Sequence, residues 1–246
     1  MKSYQLVSVL SAVLVLLIVS LACATALPGA TDTPLPKPTN TPRPTATSKP
    51  SPTPDIAATQ RADEFASLLG KFAEKGYVES ADGEVVEFEP FEERWAQLGW
   101  YQWWPFEETD SDFLFKAHFS WSTASATPDT SGCGIVFGLQ DNGDHYSVFL
   151  DKSRILFMMR RGKYAYEVGK ASGSGRTKFG NPAEADFAVS VKGQNAYVSV
   201  DDEFTGYALS ADQTTKGIFG YSMISGTNKD YGTLCEMTDV MFWKPK

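Results

Sequence analysis

The densest group of side chains suited to ligand contact is an aromatic segment at residues 95–106. It holds four of the six tryptophans of the chain, and Glu107, Glu108 and Asp110 follow it. Flat rings with polar edges stack on sugar faces, and carboxylates accept hydrogen bonds from hydroxyl groups. The segment therefore predicts a glycan platform, with the binding residues Trp100, Tyr101, Trp103 and Trp104. The alternative is that these large rings pack a helix onto the domain and close one end of its core.

A polar loop at residues 225–233 is the second candidate for ligand binding. Tyr231 is able to stack on a ligand, and Asn228 and Asp230 are able to hydrogen-bond its hydroxyl groups. Loops on rigid scaffolds often carry function. The alternative is a tight structural connection, since Gly226 and Gly232 suit one.

Other reactive groups are sparse in the sequence. Neither of the two histidines, His118 and His145, has a partner at metal-ligand spacing. Asp141, Asn142 and Asp144 carry oxygens that suit Ca²⁺, but their spacing fits a hairpin turn better. The chain has no serine nucleophile elbow, phosphate-binding glycine loop or Cys-x-x-Cys motif. The sequence thus predicts no cofactor and no metal site.

The first 23 residues have the layout of a signal peptide. Lys2 precedes an apolar run at residues 6–22, which ends in small residues before Cys23. The run Ser20-Leu21-Ala22-Cys23 resembles a bacterial lipoprotein signal, and that resemblance implies lipidation of Cys23. The alternative is an uncleaved transmembrane anchor. Both interpretations place the rest of the chain on the extracytoplasmic side of a bacterial cell membrane.

Residues 24–54 predict a disordered Pro/Thr-rich linker, because almost nothing there is apolar enough to pack. In a polyproline II conformation, some thirty residues at about 3.1 Å each reach roughly 90 Å. Residues 55–76 then predict an amphipathic helix that Gly76 ends, with a stripe expected to pack on the following domain. Self-association through that stripe is the alternative. The dispersed net charge of −8 disfavours binding to nucleic acid or anionic lipid.

Residues 77–246 predict one antiparallel β-sandwich, or jelly roll, with nine or ten short strands. In residues 111–121 the alternation places Phe113, Phe115, Ala117, Phe119 and Trp121 on one face, which predicts the core side of a strand. An Asn-Gly pair joins the strands at residues 133–139 and 145–151 as a hairpin. Residues 170–184 predict a mobile loop. Cys133 and Cys235, in an exported chain, predict a structural disulfide, with two free thiols as the alternative.

The strand sequences of this domain resemble the concanavalin-A-like lectin and glucanase sandwiches, which include laminin-G-like modules and relatives of 3-keto-disaccharide hydrolases. The resemblance covers roughly residues 85–246 and is carried by residues 112–113, 146–151, 198–202, 217–220 and the final strand ending in Trp243. It implies carbohydrate or peptide binding in most members and glycoside hydrolysis in some. The catalytic Glu-x-Asp-x-x-Glu motif of the glucanases does not occur, and its nearest approach, Glu87 and Glu89, is followed by the strand breaker Pro90.

The sequence therefore favours a non-catalytic binding module for a carbohydrate or a partner protein of the cell envelope. Two alternatives stay open. One is an extracellular glycoside hydrolase whose carboxylates come from separate strands, with Glu107, Asp110 and Asp151 as candidates. The other is a structural or assembly protein of the envelope.

Overall fold

The computed structural model describes residues 56–109, 112–126 and 130–246. The predicted signal peptide with Cys23, the predicted linker and Asp110 lie outside these residues. Within the described part of the chain, no helix is both long enough and apolar enough to cross a membrane.

The single helix of the described residues, α1 (Ile56–Glu74), ends where the sequence predicts. Gly76 adopts a φ of 74°, and its N–H donates to the Ala73 carbonyl at 2.9 Å, while the Tyr77 N–H donates to the Phe72 carbonyl at 2.8 Å. This pair of bonds satisfies carbonyl groups that the helix end leaves free. The apolar stripe, including Phe65 and Phe72, is buried against the β domain, which confirms the predicted packing.

Fourteen strands form two sheets in the described residues. They are β1 (Gly83–Glu87), β2 (Phe91–Trp95), β3 (Trp100–Thr109), β4 (Phe113–Thr123), β5 (Gly132–Leu139), β6 (His145–Leu150), β7 (Ile155–Arg161), β8 (Tyr164–Glu167), β9 (Lys170–Ser172), β10 (Ala183–Lys192), β11 (Asn195–Val200), β12 (Glu203–Ala208), β13 (Gly217–Ser225) and β14 (Thr233–Pro245). Sheet A has the order β1-β14-β4-β10-β11-β12-β9, and β2 also pairs with β14. Sheet B has the order β3-β13-β5-β6-β7-β8. Neighbouring strands pair antiparallel, so the predicted β-sandwich with an N-terminal helix is confirmed.

The main core lies between the two sheets. The five residues of β4 predicted to face inward all belong to it, because a strand turns alternate side chains to opposite faces. On the other face of β4, Leu114 is covered by α1, together with Ala188 and Trp243 from neighbouring strands. Sheet A is therefore buried on its inner face and partly covered by the helix on its outer face.

The disulfide between Cys133 and Cys235 joins the two sheets. Their Cα atoms are 5.4 Å apart, with Cys133 on β5 of sheet B and Cys235 on β14 of sheet A. Both half-cystines are fully buried in the core. The predicted structural disulfide is confirmed.

The sequence predicted nine or ten strands, whereas the described residues contain fourteen. The aromatic segment is itself a strand, β3, which pairs with β13 along one edge of sheet B. The predicted loop at residues 170–184 contains β9 and the first residues of β10, and β12 was not predicted at all. In each case pairing with a neighbouring strand fixes residues whose own sequence lacks a clear two-residue alternation. The interruption expected at Pro90 is present, since β1 ends before it and β2 begins after it.

Candidate functional site

The predicted aromatic platform is divided between the two faces of β3. Trp100 begins the strand and is 46% exposed, whereas the Trp104 ring packs on the core, 5.1 Å from the ring of Phe91. Tyr101 and Trp103 lie on the face of sheet B that points away from the core. The four rings predicted to form the platform therefore do not share one surface, because side chains alternate along a strand.

The ring of Tyr101 packs against Phe149 on the outer face of sheet B. A Cβ atom added at Gly134 would lie 2.3 Å from the ring of Phe149, so that ring covers the glycine. Tyr101 in turn contacts Phe149, with ring centroids 5.3 Å apart. Tyr101 is buried in this second apolar cluster, so it stabilises the outer face of sheet B and is not an open stacking platform.

The hydroxyl group of Tyr101 is hydrogen-bonded to His145 Nε2 at 2.7 Å. His145 Nδ1 lies 2.8 Å from the Gly143 carbonyl oxygen, which is able only to accept, so Nδ1 carries the proton and Nε2 accepts from Tyr101. Burial lowers the pKa of His145 and raises that of the Tyr101 hydroxyl group. A neutral histidine therefore anchors the edge strand β3 to β6 across the sheet.

The predicted binding loop at residues 225–233 lies beside Trp100. The Gly99 N–H donates to the Ser225 carbonyl at 2.8 Å, which places the start of β3 against the start of the loop. Asn228, Asp230 and Tyr231 are exposed, and the Tyr231 hydroxyl oxygen lies 3.5 Å from Ser122 Oγ. Trp100 and Tyr231 therefore lie at the same end of the sandwich.

A cleft of about 700 Å³, which no pattern in the sequence predicts, lies at this same end. Three segments form it: the β6–β7 turn at residues 152–155, the loop at residues 174–179, and residues 200–205 around the β11–β12 turn. The register shows that this is the end that carries Trp100. Trp100 pairs with Ser225 at the end of β13, and the preceding residue, Ile224, pairs with Gly132 at the start of β5. Two residues along β5, Gly134 pairs with Phe149 near the end of β6, and the β6–β7 turn of the cleft follows. We call it the end cleft.

Backbone hydrogen bonds hold the loop of the end cleft against the β6–β7 turn. The Ile155 N–H donates to the Gly175 carbonyl at 2.9 Å, and the Thr177 N–H donates to the Ser153 carbonyl at 3.2 Å. Gly175 has a φ of 58° and donates its N–H to Thr205 Oγ1 at 3.1 Å. This conformation favours glycine. Hydrogen bonds to both sheets therefore hold this loop at the end of the sandwich.

The buried carboxylate of Asp151 shapes the β6–β7 turn, which pairs with this loop. Asp151 Oδ1 accepts hydrogen bonds from the N–H groups of Ser153 and Arg154, each at 2.8 Å. Asp151 Oδ2 lies 3.5 Å from the Arg154 Nε. Burial raises the pKa of the Asp151 carboxyl group, while its hydrogen bonds and Arg154 oppose that shift. Asp151 is thus a structural cap of the turn that carries Lys152.

The lining of the end cleft combines both charge signs, hydroxyl groups and apolar rings. Its charged residues are Lys152, Arg176, Lys178, Asp201 and Glu203, its hydroxyl groups belong to Ser153, Ser174, Thr177 and Thr205, and its rings are those of Phe179 and Phe204. The Thr177 hydroxyl group and that of the neighbouring Tyr207 are buried and make no hydrogen bond within the described residues. The cleft therefore offers donors, acceptors and apolar faces in one place.

The carboxylates considered for hydrolysis are not brought together. Glu107 pairs with Phe219 near the far end of sheet B and lies 3.7 Å from Lys244, whereas Asp151 follows β6 at the cleft end. Asp144, whose oxygens were considered for Ca²⁺, accepts a hydrogen bond from the Gly162 N–H and belongs to a hairpin turn. In the described part of the chain, no cluster of three or more His, Cys, Asp or Glu side chains is placed to hold a metal ion.

No known family model and no curated protein matches this sequence. Among solved structures, the carbohydrate-binding module CBM66 from Bacillus subtilis is similar with a TM-score of 0.45 and 11% identity, over 66% of this chain and 97% of that one. A β-fructofuranosidase from Aspergillus kawachii, complexed with glycerol, has a TM-score of 0.44 and 13% identity over 68% of this chain, which spans 28% of the enzyme. Sheep galectin-11, complexed with glycerol, has a TM-score of 0.36 and 10% identity, over 56% of this chain and 98% of that one.

Proposed function

We propose that this protein is a membrane-anchored extracellular module that binds carbohydrate in the end cleft. The composition of the cleft supports this function. A sugar presents hydroxyl groups that both donate and accept, together with apolar C–H faces. Asp201 and Glu203 accept from such hydroxyl groups, Lys152 and Arg176 donate to them, and the Phe179 ring offers an apolar contact.

The dimensions and the construction of the cleft suit a small ligand. Its volume of about 700 Å³ lies in the range of about 300–1,000 Å³ usual for ligand pockets. Its walls belong to paired backbone segments and tight turns, so little ordering is needed when a ligand binds. A preformed site loses less free energy to ordering than a flexible one.

Trp100 and Tyr231 extend this site along the end of the sandwich. Both side chains are exposed, and Asn228 and Asp230 beside Tyr231 present polar groups to solvent. Three strand spacings, roughly 14 Å, separate β3 from β6 within sheet B. In this proposal one sugar unit occupies the cleft and a longer glycan continues toward Trp100.

Anchoring by a lipid on Cys23 and display on the Pro/Thr-rich linker belong to the same proposal. A disulfide in the β domain supports an extracytoplasmic location, because disulfides persist in oxidising compartments. The test compares the wild-type protein with a Cys23→Ala variant in a bacterial host. We expect the wild type in the membrane fraction with an acylated N-terminus by mass spectrometry. A Cys23→Ala protein that is processed and retained in the same way would contradict lipidation.

Carbohydrate binding is tested on the full chain, purified in detergent with its disulfide intact, by glycan array and titration calorimetry. Ser174→Trp places a large ring in the cleft, since Ser174 lines it and is exposed. Lys163→Trp, in the β7–β8 turn at the opposite end, is the matched control. We expect Ser174→Trp to abolish binding and the control to retain it. A folded protein that binds no glycan, or equal binding by Ser174→Trp, would overturn the proposal.

The aromatic extension has its own variants, Trp100→Ala and Tyr231→Ala. If the glycan continues along the end of the sandwich, both variants weaken binding of long oligosaccharides more than that of short ones. Thermal unfolding checks that each variant is as stable as the wild type. Equal affinities of wild type and variants for long chains would confine the ligand to the end cleft.

A further inference from the structure

We propose that the ligand of the end cleft is an anionic saccharide, whose carboxylate or sulfate group contacts Lys152, Arg176 and Lys178. This inference rests on the carbohydrate-binding function proposed above and specifies its ligand. All three residues line the cleft. We call this group of three cations the basic wall.

The backbone pairing brings the three cations of the basic wall together. The Phe179 N–H donates to the Lys152 carbonyl at 3.1 Å, so Lys152 lies opposite the residue that follows Lys178. Arg176 forms a β-bridge with Arg154 in the same antiparallel arrangement. Arg176 and Lys178 are two residues apart in this paired segment, a spacing that places side chains on the same side. Like charges are thereby collected on one wall.

The basic wall has no counterion within the described residues. Among them, Lys152, Arg176 and Lys178 form no ion pair, whereas the nearby Arg154 lies 3.1 Å from Glu167 and 3.5 Å from Asp151. The chain as a whole carries 30 acidic and 22 basic residues, so the charge of the basic wall is opposite in sign to the net charge of −8. Three unpaired cations beside a cavity favour an anionic group in the ligand, because each is free to form a charge-assisted hydrogen bond.

The carboxylates of the cleft lie on a different segment. Asp201 lies in the β11–β12 turn of sheet A and Glu203 begins β12, whereas the basic wall lies on the β6–β7 turn and the loop paired with it. One Asp201 oxygen already accepts the Asp186 N–H at 2.9 Å. Carboxylates accept hydrogen bonds from hydroxyl groups and repel anions. The cleft is therefore polarised, and it orients a sugar with its anionic group toward the basic wall and its hydroxyl groups toward the acidic turn.

The experiment measures the affinity of the full chain for matched pairs of ligands. Polygalacturonate, polymannuronate and hyaluronan are each compared with their methyl esters, and dextran sulfate is compared with dextran. The esters and dextran remove the negative charge and keep the sugar backbone. Arg176→Gln and Lys178→Gln remove cations from the basic wall, and Lys163→Gln removes one at the opposite end of the sandwich.

We expect binding to at least one anionic polymer and at least tenfold weaker binding to its neutral counterpart. Each cleft variant should weaken that binding about tenfold, and added salt should weaken it further. Lys163→Gln should match the wild type. Uronates and sulfated dextran distinguish carboxylate from sulfate as the group recognised.

Two results would overturn the inference in different ways. Binding that is as tight to the neutral members, and is blocked by Ser174→Trp, would leave carbohydrate binding in place and refute the anionic ligand. Anion binding that Lys163→Gln weakens as much as Arg176→Gln does would show general charge attraction, not a site. No binding to any glycan by a folded protein would refute both proposals.

Discussion

Reduction of the Cys133–Cys235 disulfide is expected to destabilise the fold by several kcal/mol. The two cysteines are separated by 102 positions in the sequence. A cross-link that closes a loop of this length lowers the entropy of the unfolded chain. In the loop-entropy model, this raises the free energy of unfolding by roughly 4.7 kcal/mol at 25 °C. Both half-cystines are fully buried, and a reducing agent breaks the cross-link without changing the amino-acid composition of the core.

The assay is urea unfolding of the full chain with and without reducing agent, followed by tryptophan fluorescence. Trp121 and Trp243 are buried, so unfolding moves them into water and shifts their emission. We expect a lower midpoint for the reduced protein and a difference in the free energy of unfolding of about 2–5 kcal/mol. A Cys133→Ala/Cys235→Ala variant is the control, since reducing agent should not change its unfolding. A difference below about 1 kcal/mol for the wild type would refute the entropic reasoning.

Three further changes test contacts that position the site. Asp151→Ala should lower the free energy of unfolding by about 2–4 kcal/mol, because the N–H groups of Ser153 and Arg154 lose their acceptor in a part-buried turn. Asp151→Asn keeps an acceptor oxygen and should cost less than about 1 kcal/mol, and urea titration of both variants checks this. Acidification should destabilise the protein, because burial lowers the pKa of His145 in the folded state. In the unfolded chain, the same histidine gains a proton below about pH 6.5. The stability that the neutral, buried His145 contributes is therefore present above that pH and is lost as the pH falls, by at most about 1.4 kcal/mol per pH unit. His145→Gln should flatten that part of the curve of melting temperature against pH, and an unchanged curve would contradict it. Phe72→Ala should cost about 3–5 kcal/mol in urea unfolding, because its buried ring attaches α1 to sheet A, whereas Gln60→Ala on the exposed face of α1 should change stability by less than about 0.5 kcal/mol.

The parts of the fold that were predicted correctly have a strong local pattern. In β4 the alternation of aromatic and polar residues identifies the core face, because one face is buried between the sheets. The end of α1 was predictable because Gly76 suits the left-handed conformation that follows a helix. By contrast, β3 has large rings on both faces, with Trp103 outward and Trp104 inward, so its sequence shows no two-residue contrast.

The end cleft was not predictable for a different reason. Its three segments are separated by up to about fifty residues in the sequence, and only the pairing of strands brings them together. Arg176 and Lys178 occur in a stretch rich in Ser and Gly, which in isolation indicates a loop. What makes these residues a candidate site is their pairing with the β6–β7 turn, and that pairing is a property of tertiary structure. No pattern within a single segment of the sequence predicts this pairing.

The position of the disulfide links the stability of the fold to the proposed binding end. Cys133 is paired with Met223 on β13, two residues before the loop at residues 225–233 begins, and Cys235 on β14 follows two residues after Thr233, where β14 begins. The cross-link therefore holds both ends of this loop close to the core. Binding loses about 0.5–1.5 kcal/mol for each flexible side chain that it immobilises. A loop held in this way keeps Tyr231 at the same end of the sandwich as Trp100 before any ligand arrives. Reduction of the disulfide should therefore weaken binding of long glycans under conditions in which the protein is still folded.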